Sequence, residues 1–171
     1  MRKLFLLVAL MCTLGFAVNA QTYQIPLNGQ PYKAEVVYSD MNRVNMAFSF
    51  NQLTGYDVMG KTGEAFTQLS LQEAYSIGQI GTPRLPAIKK LIEVPFGATV
   101  TVKVTNYTES TIKLADFGVN NRLMPVQPSL RKDEDPDKVT FEFDKNTYAK
   151  NSFAGNPVAS IELLGTMRGV Q

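Results

Sequence analysis

The most chemically loaded stretch of this sequence is Arg131-Lys132-Asp133-Glu134-Asp135-Pro136-Asp137-Lys138, in which seven of eight residues are charged. Its basic pair comes first and its acids follow. Four carboxylates this close together have two obvious uses. Asp133, Glu134, Asp135 and Asp137 could ligate calcium, but the EF-hand loop needs a central Gly and a closing Glu at fixed positions, and this stretch has neither. A charge run that contains a proline otherwise reads as an exposed, solvated loop. Asn106-Tyr107-Thr108 fits the glycosylation triplet, a short pattern that chance often supplies. What is missing bounds the rest of the chemistry. The chain has no His and one Cys, so it can build no Ser-His-Asp or Cys-His catalytic group, no His-ligated zinc site and no His-ligated haem. It has no phosphate-binding glycine loop of either usual kind. The residues therefore predict a protein that is not an enzyme and carries no cofactor or metal.

The N-terminus changes the charge balance. Arg2 and Lys3 precede an apolar run, Leu4 to Phe16, and Val18-Asn19-Ala20 gives a small-x-small pattern before Gln21. This is the pattern of a secretory signal peptide over residues 1–20, cleaved after Ala20. The apolar run is too short for a membrane span. The whole chain has 17 basic and 15 acidic residues, a formal charge of +2. Removing the leader takes Arg2, Lys3 and Cys12 with it. Basic and acidic residues are then equal in number, and no cysteine remains. A neutral surface offers no basic footprint for nucleic acid or anionic lipid. The predicted location is outside the cytoplasm, in the periplasm or at the cell surface, with no membrane attachment after cleavage. An exported chain of about 150 residues can bury a sufficient core without disulfides.

The elements that must position the charged stretch follow from a period of two. Val44, Met46, Phe48 and Phe50 alternate with polar or small residues, as do Val100, Val102 and Val104, then Val139, Phe141 and Phe143, then Ala159, Ile161 and Leu163. Each run fits a strand with one face in a core and one in water. Lys33–Tyr38, Tyr56–Met59, Lys90–Val94 and Thr111–Leu114 are shorter candidates. Turn signals separate them, among them Asn28-Gly29, Gly60 to Gly63, Pro95-Phe96-Gly97 and Gly155-Asn156-Pro157. Helical periodicity is weak, with room for one short helix or a loop within Phe66–Tyr75. The fold class predicted is all-β, an antiparallel β-sandwich of jelly-roll type in one domain, residues 21–171. In Gly81-Thr82-Pro83-Arg84-Leu85-Pro86, two prolines three apart enforce extended geometry. The segment should run along a sheet edge and enter a strand at Leu91–Val94.

Several of these features, taken in order, resemble the N-terminal propeptide of gingipain-type cysteine peptidases, family C25. Gly81-x-Pro83-x-Leu85-Pro86 leading to Ile92-Glu93-Val94-Pro95 is similar to a segment of those prodomains. So is Leu130-Arg131-Lys132-Asp133-Glu134-Asp135-Pro136, followed by Tyr148, Phe153, Gly155 and Pro157, then Met167-Arg168-Gly169. The likeness covers about residues 75–171; residues 21–74 share only a general β character. It also fits export from a member of the Bacteroidetes. The resemblance implies a prodomain that packs on a gingipain-like catalytic domain, in cis or in trans, keeps it latent and helps it fold. It implies that a loop offers a basic residue to the acid of the peptidase's specificity pocket. Arg131 falls on that loop, with Lys132 beside it. Arg131 and Arg168 are then the implied processing points. The chain departs from the family pattern by lacking a catalytic Cys/His domain and by stopping at Val170-Gln171, before the family's last strands. The expectation is a prodomain that is C-terminally truncated or acts in trans, leaving an exposed edge near Ile161–Leu164. The competing reading is a secreted β-sandwich binding or adhesion module, against which the absence of Trp counts mildly.

Overall fold

The computed structural model describes residues 21–152 and 156–165. The predicted leader and its cleavage point at Ala20 lie outside them, as do Phe153, Gly155 and Arg168. The chain is all-β, with eight strands and little helix among the described residues. A four-stranded sheet forms the centre. Its strands are β1 (Thr22–Pro26), β4 (Gln52–Met59), β5 (Ala65–Ser70) and β8 (Arg122–Leu123), in that spatial order. The β1–β4 and β4–β5 pairs are antiparallel, and the short β5–β8 pair is parallel. Two ribbons are separate from the sheet: β2 (Lys33–Ser39) pairs with β3 (Val44–Ser49), and β6 (Tyr75–Ile77) pairs with β7 (Leu85–Ala87), which touches the sheet at β5.

Alternation along β1 and β5 decides what is inside. Tyr23 and Ile25 point to one face and join Leu69 and Val119 in a core, with Leu53, Ile112, Leu114, Phe117 and Leu123 packed against it. Gly55 lies between Tyr23 and Leu69 in the register. A Cβ there would come within 3.3 Å of both the Tyr23 ring and the Thr67 methyl. A 3₁₀ turn, Leu114–Phe117, delivers its apolar side chains to this face and ends at Gly118, whose φ of 83° suits glycine. Phe66 points to the other face. It is 1% exposed, and its ring packs 5.6 Å from that of Phe141 and 6.3 Å from that of Phe143. Both faces of the sheet are thus covered by segments from the second half of the chain.

The structure moves several expected elements. Residues 66–70, within the stretch given room for a helix or a loop, belong to strand β5 instead. Its register with β4 outweighs its weak helical period. Among the described residues the α-helix is α1 (Lys145–Ala149), capped by Asp144, whose carboxylate accepts the Asn146 N–H. Val100, Val102 and Val104 are 39–48% exposed and lie in no strand. Lys90–Val94, Val139–Phe143 and Ala159–Leu163 likewise lie in no strand, and Thr111–Leu114 runs into the 3₁₀ turn. Alternation specifies which way side chains face, but a strand also needs a neighbouring strand for its N–H and C=O groups. Among the described residues these segments have no such neighbour. Ile161, Leu163 and Leu164 are exposed and, among the described residues, lie in no strand. The proline segment does follow an edge. Ile80 and Pro83 bridge to Val126 and Pro125, and Pro86 sits within β7, opposite Ser76. It enters β7, however, and not a strand at Leu91–Val94.

Candidate functional site

The charged stretch is an exposed loop, and most of its acids are spent on its own order. The Glu134 carboxylate accepts the Arg131 N–H at 2.9 Å, and the Glu134 N–H donates to the Arg131 carbonyl at 3.1 Å, closing a turn around Lys132 and Asp133. Asp135 caps a second 3₁₀ turn, Pro136–Lys138, by accepting the Asp137 N–H at 3.0 Å, and its carboxylate lies 3.4 Å from Lys138. The Arg131 guanidinium lies 3.4 Å from Asp133, with the two side chains 76% and 75% exposed. At that exposure the pair contributes little and leaves Arg131 free to exchange partners. Lys132 has no ion pair among the described residues. The loop therefore presents two adjacent basic side chains in water.

Two clamps fix the base of this loop, and sequence reasoning finds neither. Gln127 brackets the backbone of Glu142: its amide donates to the Glu142 carbonyl at 2.9 Å and accepts the Glu142 N–H at 3.0 Å. One side chain thus imitates a neighbouring strand. The second clamp is Lys61, in the Gly60–Gly63 turn between β4 and β5. Its ammonium donates to the carbonyls of Pro136, Asp137 and Val139 at 2.7, 2.8 and 2.5 Å. A lysine in a hairpin turn carries no sequence signal for this role, because its partners are backbone groups 75–78 residues away.

Beyond the loop the chain is seated on the core by Tyr148. Its hydroxyl donates to the Leu123 carbonyl at 2.6 Å and its ring stacks 4.3 Å from Phe143. Burial pushes the Tyr148 phenol up to about 12, against a smaller opposing pull from Arg122. Gly81, which opens the proline motif, ties this segment to the rest. Its N–H donates to Val126, its carbonyl accepts from Asp144, and its φ is 82°. A Cβ at Gly81 would sit 3.1 Å from the Asp144 nitrogen. The proline segment, one part of the family likeness, is thus architectural, whereas Arg131-Lys132, in the other part, stands exposed on the loop.

Under the sheet lies a polar cluster. The Asp57 carboxylate accepts the Tyr23 hydroxyl at 2.8 Å and the Thr67 hydroxyl at 2.7 Å. Burial raises the Asp57 pKa, but hydrogen bonds from Thr67, Tyr23 and Asn121 together outweigh it and hold the carboxyl below the usual range. The cluster joins β1, β4 and β5 and has a structural role. No group of three or more potential metal ligands occurs among the described residues, and no helix there is long and apolar enough to cross a membrane.

Known proteins place this arrangement. A family model described as Propeptide_C25 matches residues 25–171. Lys-gingipain and Lys-gingipain 381, both from Porphyromonas gingivalis, are each 39% identical over 171 residues, all of this chain and 10% of their own length. The chain therefore spans about a tenth of these curated relatives. A solved structure, described as giving insight into zymogenic latency of gingipain K from the same organism, superposes with a TM-score of 0.79 at 37% identity. The match covers 88% of this chain and 81% of that one.

Proposed function

The chain belongs to the C25 propeptide family, and from that premise we propose that it is the prodomain of an exported gingipain-type cysteine peptidase. In this reading it packs on the catalytic domain, assists its folding and keeps it latent until processing. It contributes no catalytic group. The inhibitory element is the loop tip, where Arg131 and Lys132 stand exposed while the loop base is fixed. That pairing of free basic side chains with an anchored base is the observation that carries the proposal. A specificity pocket for basic residues holds a carboxylate, and a guanidinium or ammonium that enters it exchanges water for a charge-assisted hydrogen bond. An arginine-directed pocket takes Arg131, and a lysine-directed pocket takes Lys132. The relatives' name, Lys-gingipain, favours Lys132. Cleavage after either residue opens the loop and begins activation, with Arg168 a second processing point and Ala20 the site of leader removal.

The test is inhibition of a lysine-directed gingipain-type peptidase by the chain from Gln21 onward. Arg131→Ala, Lys132→Ala and the double variant are compared with the wild type. A pocket-filling side chain is a hot spot, so the double variant should weaken inhibition by about 100-fold, with Lys132→Ala supplying most of it. Wild-type potency in the double variant overturns the loop's role. No inhibition by the wild-type chain overturns the prodomain reading in trans.

A further inference from the structure

We infer that the loop is clamped so that cutting it does not take the prodomain apart, with Lys61 and Gln127 as the positioning residues. The inference rests on the inhibitory reading for its biological meaning but on geometry for its content. A cut after Arg131 or Lys132 divides the chain into two pieces. The anchors of the loop base and of the segment behind it cross that cut. Lys61, Phe66, Gly81, Leu123 and Gln127 all lie in the first piece. Their partners all lie in the second: the carbonyls of residues 136, 137 and 139, the Phe141 and Phe143 rings, the Asp144 N–H, the Tyr148 hydroxyl and the Glu142 backbone.

Cleavage therefore relieves only the tip. The new termini, at 131 and 132 or at 132 and 133, stay close together, because one side of the break is held at Gln127 and the other at Pro136. A peptide bond held in this way is a poor substrate, since an attacking protease must distort a loop whose ends cannot follow. Release of the prodomain then requires a second event beyond loop cleavage, either at another site or by unfolding of the nicked body. Lys61 has the larger share in this. Three donors on one ammonium hold the C-terminal side of the loop to the β4–β5 turn, whereas Gln127 makes two bonds, both to Glu142.

Trypsin, which cuts after Lys and Arg without any relation to the partner peptidase, reads the clamp directly. Under native conditions, mass spectrometry follows cleavage at Arg131 and Lys132 in the wild type, Lys61→Met, Gln127→Ala and Lys61→Arg. Lys61→Met should raise the rate about tenfold, Gln127→Ala severalfold, and Lys61→Arg, which keeps the donors, should stay within about twofold of wild type. Thermal midpoints of all four are recorded so that a general loss of stability is distinguished from loop release. The nicked wild type should elute from a sizing column as one particle of unchanged size and separate only in denaturant. Separate fragments from the nicked wild type, or equal rates in Lys61→Met and wild type, overturn the clamp. A second arm uses the lysine-directed peptidase. Wild type should inhibit durably, while Lys61→Met inhibits at first and is then consumed. Equally durable inhibition by both overturns the clamp. A wild type that fails to inhibit overturns the proposed function alone, since the trypsin arm still judges the clamp.

Discussion

The two halves of this chain hold themselves together by different means. From Thr22 to Ala87 the backbone is paired strand to strand, and β4 alone ladders with both β1 and β5. From about Ile88 onward the described chain runs for long stretches outside any strand and pairs little. It is fastened to the sheet by side chains: Lys61 on three carbonyls, Tyr148 on Leu123, and two phenylalanines on Phe66, while Gln127 ties the second half to itself at Glu142. A ladder spreads its hydrogen bonds over every residue and yields cooperatively. Point fastenings leave the intervening backbone in water and yield one at a time. The first half therefore behaves as a platform. The second carries the basic loop and the exposed valines, and it is the half suited to meeting a partner.

The contrast is broken or sharpened most strongly at Phe66, where the halves meet. Phe66→Ala removes a fully enclosed ring and should destabilise the protein by about 3–5 kcal/mol. Hydrogen exchange should quicken first at the amides of 141–148, while β4 and β5 keep most of their protection. Uniform loss of protection through both halves would erase the distinction. Gly81→Ala comes next. It forces a left-handed residue to carry a Cβ against the Asp144 nitrogen, at a cost of about 1–3 kcal/mol. Urea unfolding measures it, and an unchanged midpoint would mean that Gly81 does not join the halves.

The smallest effect belongs to the platform and is read through pH. The folded Asp57 pKa lies below its unfolded value. The unfolded state therefore takes up the proton first as pH falls. Stability from this group is complete above the unfolded carboxyl pKa of about 3.9 and is lost as pH falls through the folded pKa. Urea midpoints from pH 6 to pH 2.5 should fall less steeply for Asp57→Asn than for wild type. Parallel slopes would mean that Asp57 keeps an ordinary pKa. Asp144 gives the matching control in the second half: its carboxyl is also held low, first by the Thr147 hydroxyl.

The platform was only partly legible as pattern. The strands at Lys33–Ser39 and Val44–Ser49 and the end of β4 follow from alternation. β5 was hidden because Phe66, Thr67 and Leu69 are all buried, two on one face and one on the other, which blurs the period of two. In the second half the same signal at Val100–Val104 and Ala159–Leu163 was just as clear and gave no strand. Side-chain alternation is local, whereas pairing depends on what lies alongside. The basic loop was legible because its charge density excludes burial. The clamps beneath it were not, because a lysine or glutamine reads the same in any turn.

What the amino-acid order determined alone was therefore chemical and local. It left this stretch of chain without histidine, placed seven charges on an exposed loop, fixed the β character and carried the motifs that point to the family. The tertiary structure decided which alternating runs became strands, that Gly81 is a joint, and that Lys61 reaches across more than seventy residues to hold the loop's carbonyls. Composition and spacing act over a few residues. A backbone carbonyl acquires its partner only when the chain has brought the two together.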